Sequence, residues 1–166
     1  MVATTGIVGC VTPEHLLIGI EQAFLKEGRP RDLTLMIASQ TGNSRSEEPR
    51  FGNNHLAHEG LLRCVVAGHW GVAPMLGELA MAEKIEGYVF PQGVLAHLFR
   101  EMAGGKPGVL TRVGLGTFID PRNDGGKINK RTTKDLVELM HIAGEEYLFY
   151  HAVRPDVAVL RGTTAD

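Results

Sequence analysis

The chain has 166 residues, of which 43% are hydrophobic and 22% charged, as expected for a globular protein long enough to bury a core. A formal net charge of −2 excludes the strong positive field that attracts nucleic acids or anionic lipids, and two cysteines are too few for a disulfide framework. The charge-free stretch 64–77 is too short to span a bilayer, and no Lys or Arg precedes Glu14. We therefore expect a cytoplasmic protein with no membrane or nucleic-acid partner.

Short apolar runs alternate with helix-period segments, which is the pattern of an α/β protein. A strand at Val2–Val8 leads to a helix that begins at Thr12-Pro13, with the Thr12 hydroxyl as its N-cap, and ends at Gly28. Its apolar face is predicted to contain Leu16, Leu17, Ile20 and Phe24. Further strands are predicted at Leu33–Ala38, Ile85–Phe90, Val109–Val113 and Val157–Arg161, an apolar run at Cys64–Ala67, and helices at His55–Leu62, Val72–Lys84 and Pro91–Met102. We predict one domain with a Rossmann-like, open, mostly parallel sheet and flanking helices.

Two polar segments, residues 39–54 and 119–131, are long for loops of a compact domain, and the first is predicted to be a binding loop or a mobile lid. Leu136–Met140 and Tyr147–Tyr150 flank Ala143-Gly144-Glu145, and we predict that they form a small β-hairpin appended to the sheet. The 21 glycines are close to twice the usual share of ~7%, so many of them should serve turns or close backbone approaches.

Glycines and neutral polar residues follow three of the predicted strands. Gly6-Ile7-Val8-Gly9 could cradle an anion before a helix N-terminus, or could simply form a tight turn; its spacing matches neither the dinucleotide pattern nor a Walker loop. Ser39-Gln40-Thr41-Gly42 and Pro91-Gln92-Gly93 follow two strands at the sheet edge where open α/β folds bind ligands. Their uncharged amides suit a carboxylate or thioester oxygen, although loop structure or helix capping is the alternative interpretation.

The reactive residue types do not assemble into a recognisable catalytic set. His55 and His58 are three residues apart, but without a third ligand they are a weak metal signal, and we predict structural roles and no metal site. His69-Trp70, between two glycines, indicates tight packing. Cys10 lies near a helix N-terminus without a partner base. No catalytic residue is predicted in this chain.

Several long segments of the chain resemble family I CoA-transferases, in the same order and nearly from end to end. They are ATTGIVGCVTPEHL, GHWG, PQGVLAHLFR and GLGTFIDPR with the following GGK. The resemblance is greatest to the single-chain propionate/acetate/acetoacetate CoA-transferases. It implies transfer of CoA between a short-chain acyl-CoA and a free carboxylic acid through a glutamyl-CoA thioester, with the CoA thioester as substrate and no bound cofactor.

The resemblance assigns the acyl and acceptor side of the site to this chain. The residues that match it are Gly6, Gly9, Ser39, Gln40, Gly42, Gln92, Gly93, Gly114, Gly116 and Thr117. The nucleophilic glutamate of the family stands in a Glu-x-Gly or Glu-Ser-Gly setting, which Glu14, Glu59 and Glu78 do not occupy.

These matches lead us to expect an N-terminal domain, incomplete at both ends and inactive alone, that needs a C-terminal catalytic half or subunit and forms a homo-oligomer. The alternatives are a non-enzymatic module that binds CoA or a carboxylate, and an acyl-CoA hydrolase of the same family.

Overall fold

The computed structural model describes residues 1–45 and 49–164. In chain order the strands are β1 (Val2–Thr4), β2 (Leu33–Ile37), β3 (Leu62–Ala67), β4 (Glu86–Val89), β5 (Gly108–Thr111), β6 (Val137–Ile142), β7 (Glu145–His151) and β8 (Val157–Val159). The helices are α1 (Glu14–Glu27), α2 (Pro74–Met81) and α3 (Gln92–Ala103), with a 3-10 helix at Gly52–Leu56. Among the described residues, none of these helices combines the length and apolar composition needed to cross a bilayer.

Two sheets organise the described part of the chain. The larger has the strand order β4-β3-β2-β1-β8 with every neighbouring pair parallel, and the smaller has the order β5-β7-β6 with antiparallel pairs. The predicted α/β class and mostly parallel sheet are confirmed. The predicted hairpin is confirmed as β6 and β7, but the strand predicted at Val109–Val113 joins it as β5, so the appendage has three strands.

The large sheet is buried on both faces because each face is covered by different elements. Successive strand residues point to opposite faces, so Leu35 and Ile37 belong to one apolar cluster while Met36 belongs to the other. The first cluster includes Leu17 of α1 and Leu76 of α2. The second includes buried residues of α3 and of the small sheet: Val94, Leu95, Leu98, Leu148 and Tyr150. Helix α3 and the small sheet are therefore held on the same face.

Helix α1 differs from its prediction at its N-terminus. The predicted Thr12 cap is wrong: Pro13 occupies the cap position without a capping side chain, and the Thr12 hydroxyl is buried without a partner. Leu16 is 55% exposed, so the buried side of the helix consists of Leu17 with the half-buried Ile20 and Phe24. The predicted end is confirmed, since Gly28 adopts a left-handed conformation with φ of 67° and its N–H bonds to the Phe24 carbonyl.

Two other predicted elements are shorter or different in kind. The predicted helix His55–Leu62 is wrong: the chain forms the buried 3-10 helix Gly52–Leu56 and turns at Gly60 (φ 87°) directly into β3. Side-chain hydrogen bonds of Asn53 and Asn54 to other segments replace the next helical turn. The first predicted strand ends at Thr4 rather than Val8, because Gly6 has a φ of 134° that extended backbone does not adopt. Of the predicted 39–54 loop, residues 46–48 lie outside the described part of the chain.

Candidate functional site

The carboxyl ends of β2, β3 and β4 meet at one point of the sheet edge. A Cβ atom added to Gly68, which directly follows β3, would lie 2.4 Å from the Ala38 carbonyl oxygen and 2.5 Å from Cγ of Gln92. Gly68 is therefore required for the close approach of the three strand ends. The predicted Ser39-Gln40 and Gln92 segments are brought to the same edge, as the parallel-sheet geometry predicts.

The turn after β1 joins this edge through backbone hydrogen bonds. Val8 N–H donates to the Gln40 carbonyl at 3.0 Å, and Gly42 N–H donates to the Val8 carbonyl at 2.9 Å. A Cβ on Gly6 would lie 2.2 Å from Cγ2 of Thr41, whereas one on Gly9 would meet nothing nearer than Phe51 at 3.8 Å. Gly6 is needed for packing against the β2 loop, while Gly9 lies exposed at the tip of the turn.

The two glutamines of the edge differ in accessibility. Gln92 is exposed in the first turn of α3, so its amide is available to a dissolved ligand. Gln40 is fully buried, and its Oε1 accepts a hydrogen bond of 2.6 Å from Nδ2 of Asn53. Ser39 is half-buried between these extremes. The edge therefore offers two neutral hydrogen-bond donors, the Gln92 amide at the surface and the NH₂ group of Gln40 in the interior.

A groove of about 660 Å³ runs between α3 and β5 from the edge. Gly93 and Val94 line one wall, and Val109 and Val113 line the other. The volume is within the range of small-molecule sites, and Gly93 has open space where a side chain would stand. The glycine of the loop after β2 has a different role: a Cβ on Gly42 would lie 1.9 Å from the Val72 carbonyl oxygen.

The predicted glycine turn at Gly114, Gly116 and Thr117 is built into the small sheet. Gly114 has a φ of 102°, and a Cβ on it would lie 2.5 Å from the Tyr150 hydroxyl. The Thr117 hydroxyl donates to the Gly114 carbonyl, and Gly116 N–H donates to Asp120. These contacts tie the turn to its own sheet, and within the described residues they do not join it to Gln92. Its role in a substrate site stays a prediction.

Behind the edge, an ion cluster fastens α1 to the 3-10 helix. The ring nitrogens of His55 face Glu21 at 2.5 Å and Glu14 at 2.9 Å, and the second oxygen of Glu14 accepts the Gly52 N–H. Glu21 also contacts His58 at 2.7 Å and Arg50 at 3.1 Å. The cluster is a structural anchor for the segment that carries Asn53. Among the residues described, no group of three or more His, Cys, Asp and Glu side chains is arranged to hold a metal ion.

Trp70 and Cys64 have packing roles, whereas Cys10 lies at the surface. Trp70 is half-buried, and its Nε1 donates to the Tyr88 carbonyl at 3.2 Å. Burial raises the pKa of the Cys64 thiol to about 12, so this sulfur is not a thiolate nucleophile at neutral pH. Cys10 is exposed in the turn after β1.

Sequence reasoning missed Asn53 and Gly68. The adjacent amides of FGNN and the glycine directly after an apolar run were the available signals.

Comparisons with known proteins match almost the whole chain. A family model described as Coenzyme A transferase covers residues 2–166. The caffeate CoA-transferase of Acetobacterium woodii is 47% identical over 99% of this chain and 30% of that protein. The crystal structure of the Escherichia coli O157:H7 acyl-CoA transferase YdiF, as a thioester complex with CoA, superimposes with a TM-score of 0.89 at 35% identity, covering 95% of this chain and 30% of that one.

The acetoacetyl-CoA:acetate/butyrate CoA transferase alpha subunit of Clostridium acetobutylicum is 28% identical over 97% of this chain and 62% of that subunit. The chain spans about 30% of the length of this caffeate CoA-transferase and of the acetate CoA-transferase YdiF of Escherichia coli K12. The chain thus belongs to the Coenzyme A transferase family, and it corresponds to the N-terminal domain of a family I member.

Proposed function

We propose that this chain is the substrate-binding part of an enzyme that moves CoA between a short-chain acyl-CoA and a free carboxylic acid of the propionate or acetate type. The observation that carries the proposal is the contact of Gly68 with Ala38 and Gln92, which gathers the neutral donors of two strand ends at one edge. The exposed Gln92 amide can donate to a carboxylate oxygen without adding formal charge. The adjoining groove beside Gly93 offers space for an acyl group.

The reaction needs a nucleophile that we assign to a complementary C-terminal domain or subunit. Its glutamate would attack the acyl-CoA carbonyl and expel CoA thiolate, giving a mixed anhydride. The thiolate would then attack the glutamyl carbonyl, release the first carboxylate and leave a glutamyl-CoA thioester. The acceptor carboxylate would reverse both steps, so that a new acyl-CoA forms and the glutamate is restored.

The carboxylates of this chain support that assignment because several are already engaged. Glu14 and Glu21 bind His55, and Glu21 also binds His58 and Arg50. Glu59 pairs with Lys84. An alpha subunit among the relatives supports a partner subunit as one source of the nucleophile. We further propose that the assembled enzyme is a homo-oligomer in the cytoplasm.

The proposal is tested by assaying acetyl-CoA with propionate, using the chain alone and mixed with its complementary part. We expect turnover in the mixture and none from the chain alone, and turnover by the chain alone would place the nucleophile here. Acetate, propionate and caffeate as acceptors would measure how much of the groove the acid occupies. Hydrolysis without transfer would identify a hydrolase instead.

Gln92→Ala in the assembled enzyme should raise the KM for the acceptor about ten-fold, the value of one lost hydrogen bond to a charged group. Gln22→Ala is the matched control because Gln22 is exposed on α1. Equal acceptor kinetics in the two variants would remove Gln92 from the site.

A further inference from the structure

Six buried side-chain polar atoms lack a hydrogen-bond partner within the described part of the chain, and they are concentrated in one region. They are the hydroxyls of Thr4, Thr5, Thr12 and Thr41, Nε2 of Gln40 and Oδ1 of Asn53. Apart from the half-buried Thr5, these residues are at most 4% exposed. They belong to the end of β1, the turn after it, the end of β2 and the 3-10 helix. Buried polar groups are normally paired, so this concentration of five donors and one acceptor, Oδ1 of Asn53, indicates groups that another molecule satisfies.

Contacts of the backbone place these groups beside one another. The position of a Cβ on Gly6 lies 2.2 Å from Cγ2 of Thr41 and 3.5 Å from the Val11 carbonyl oxygen, so the segments of Thr5, Thr12 and Thr41 adjoin. Asn53 N–H donates to the Thr41 carbonyl at 3.0 Å, and its Nδ2 holds Oε1 of Gln40. The Gln40 amide is therefore fixed with its NH₂ group as the unused donor.

The Ile7–Cys10 turn adjoins this region, since Val8 bonds to the backbones of Gln40 and Gly42, and it is a strained segment. Ile7 and Cys10 exchange backbone hydrogen bonds of 3.1 and 2.8 Å, which closes the turn. Val8 and Val11 have φ values of 53° and 56°, which β-branched residues rarely adopt. Val8 also exposes 52% of its surface although it is apolar. Strain of this kind is found where a segment must change conformation or hold a ligand.

We propose that the Thr5, Thr12 and Thr41 hydroxyls and the Gln40 amide form a concealed subsite for a carboxylate group, and that the Ile7–Cys10 turn is its movable cover. The subsite rests on the proposed function, because the carboxylate is that of the acid substrate. Opening breaks the Val8–Gln40 and Gly42–Val8 backbone hydrogen bonds and relieves the left-handed conformation of Val8. The hydroxyl and amide donors then replace water as the hydrogen-bond partners of the carboxylate oxygens.

Thr41→Val tests the subsite because it removes the hydroxyl and keeps the shape of the side chain. We expect propionate to bind the full chain about ten-fold more weakly, the value of one hydrogen bond, while the melting temperature stays equal or rises. The matched control is Thr132→Val: the Thr132 hydroxyl is also buried but bonds to Gly87 and Asn129. This control should lower the melting temperature and leave propionate binding unchanged.

The binding measurement is an NMR titration of the ¹⁵N-labelled chain with sodium propionate, following the side-chain NH₂ signals of Gln40 and Gln92. Shifts of both signals, with weaker binding by Thr41→Val, support the subsite. A shift of Gln92 alone overturns the subsite and leaves the proposed function standing. The absence of both shifts overturns the subsite, while the transfer assay with the complementary part decides the proposed function.

Hydrogen exchange of the Val8 and Gly42 amides tests the cover. Both should exchange at least several-fold faster at saturating propionate, while amides of the β2–β3 ladder keep their rates. Unchanged exchange at Val8 and Gly42 would overturn the cover. Destabilisation by Thr41→Val as large as that by Thr132→Val would overturn the subsite, because it would show that the Thr41 hydroxyl is already paired in the free protein.

Discussion

Two glycine-bearing turns, residues 6–11 after β1 and residues 114–120 after β5, differ in how completely their polar groups are bonded. In the second turn, Asp120 is fully buried and accepts hydrogen bonds from Gly116 and Arg122, and Arg122 also binds Glu146. Beside the first turn, buried hydroxyls and the NH₂ group of Gln40 have no partner among the described residues. Both turns follow strands and contain glycine, so their sequences look alike. The second turn is held by its own hydrogen bonds, whereas the unbonded polar groups beside the first turn are candidates for binding a ligand.

The largest effect on stability should come from adding a methyl group to the closely packed glycine of the loop after β2. Gly42→Ala would place a methyl group 1.9 Å from the Val72 carbonyl oxygen, and we expect it to lower the free energy of unfolding by about 3 kcal/mol. Gly9→Ala is the control, since its methyl group would meet nothing nearer than 3.8 Å. Denaturant unfolding of both variants measures the difference, and equal stability would show that the edge is loosely packed.

The second turn should depend on the charge of Asp120. Hydrogen bonds from the Arg122 side chain and from the backbone N–H groups of Gly116 and Arg122 hold the pKa of Asp120 well below its usual range. Asp120→Asn should cost about 2 kcal/mol in unfolding free energy. Asp124→Asn, at an exposed position of the same loop, is the control.

The stability difference between the wild-type chain and Asp120→Asn should change with pH in a defined direction. Because the folded pKa of Asp120 is depressed, its stabilisation is fully present above the unfolded value of about 3.9 and is lost as the pH falls toward the folded value. The stability difference between the wild-type chain and Asp120→Asn should therefore be constant from neutral pH to about pH 5 and shrink below about pH 4. A difference that persists unchanged at pH 3 would contradict the role of the carboxylate.

The smallest expected effect is that of cysteine alkylation, which compares the accessibility of the first turn with that of the interior of the large sheet. Cys10 is exposed in the first turn, whereas Cys64 is buried with its pKa raised to about 12. Iodoacetamide should modify one cysteine of the folded chain and both after denaturation, and Cys10→Ser should abolish the first modification. Mass spectrometry of the intact chain counts the adducts. Modification of Cys64 in the folded chain would reveal opening of the large sheet.

Strand and helix patterns in the sequence predicted most of the fold because burial dictates them. Apolar runs located β2 and β4, and Gly28 located the end of α1. The failures arise where side chains bond to distant segments. The 3-10 helix at Gly52–Leu56 depends on Asn53 reaching Gln40 and on His55 reaching two carboxylates of α1, and local periodicity carries no record of such contacts.

The candidate site was predictable in its location and less so in its accessibility. The carboxyl ends of parallel strands lie at one edge of a sheet, so Ser39, Gln40 and Gln92 are expected there whatever conformation the loops adopt. The first turn bonds to the backbones of Gln40 and Gly42 while Val8 and Val11 adopt left-handed conformations, which β-branched residues disfavour. At Val8 and Val11 the backbone conformation in the fold is therefore the opposite of the one that residue preferences predict.

The pairing of β1 with β8 has a consequence for how the chain is made. Val2, Ala3 and Thr4 align with Val157, Ala158 and Val159, so the first and last described strands are neighbours in the large sheet. During synthesis β1 and β2 are made before β8, so the edge of β1 that pairs with β8 lacks that partner until β8 is made. An unpaired parallel edge is a template for pairing with another chain. The edge of β1 is thus open to pairing with another chain until β8 is made.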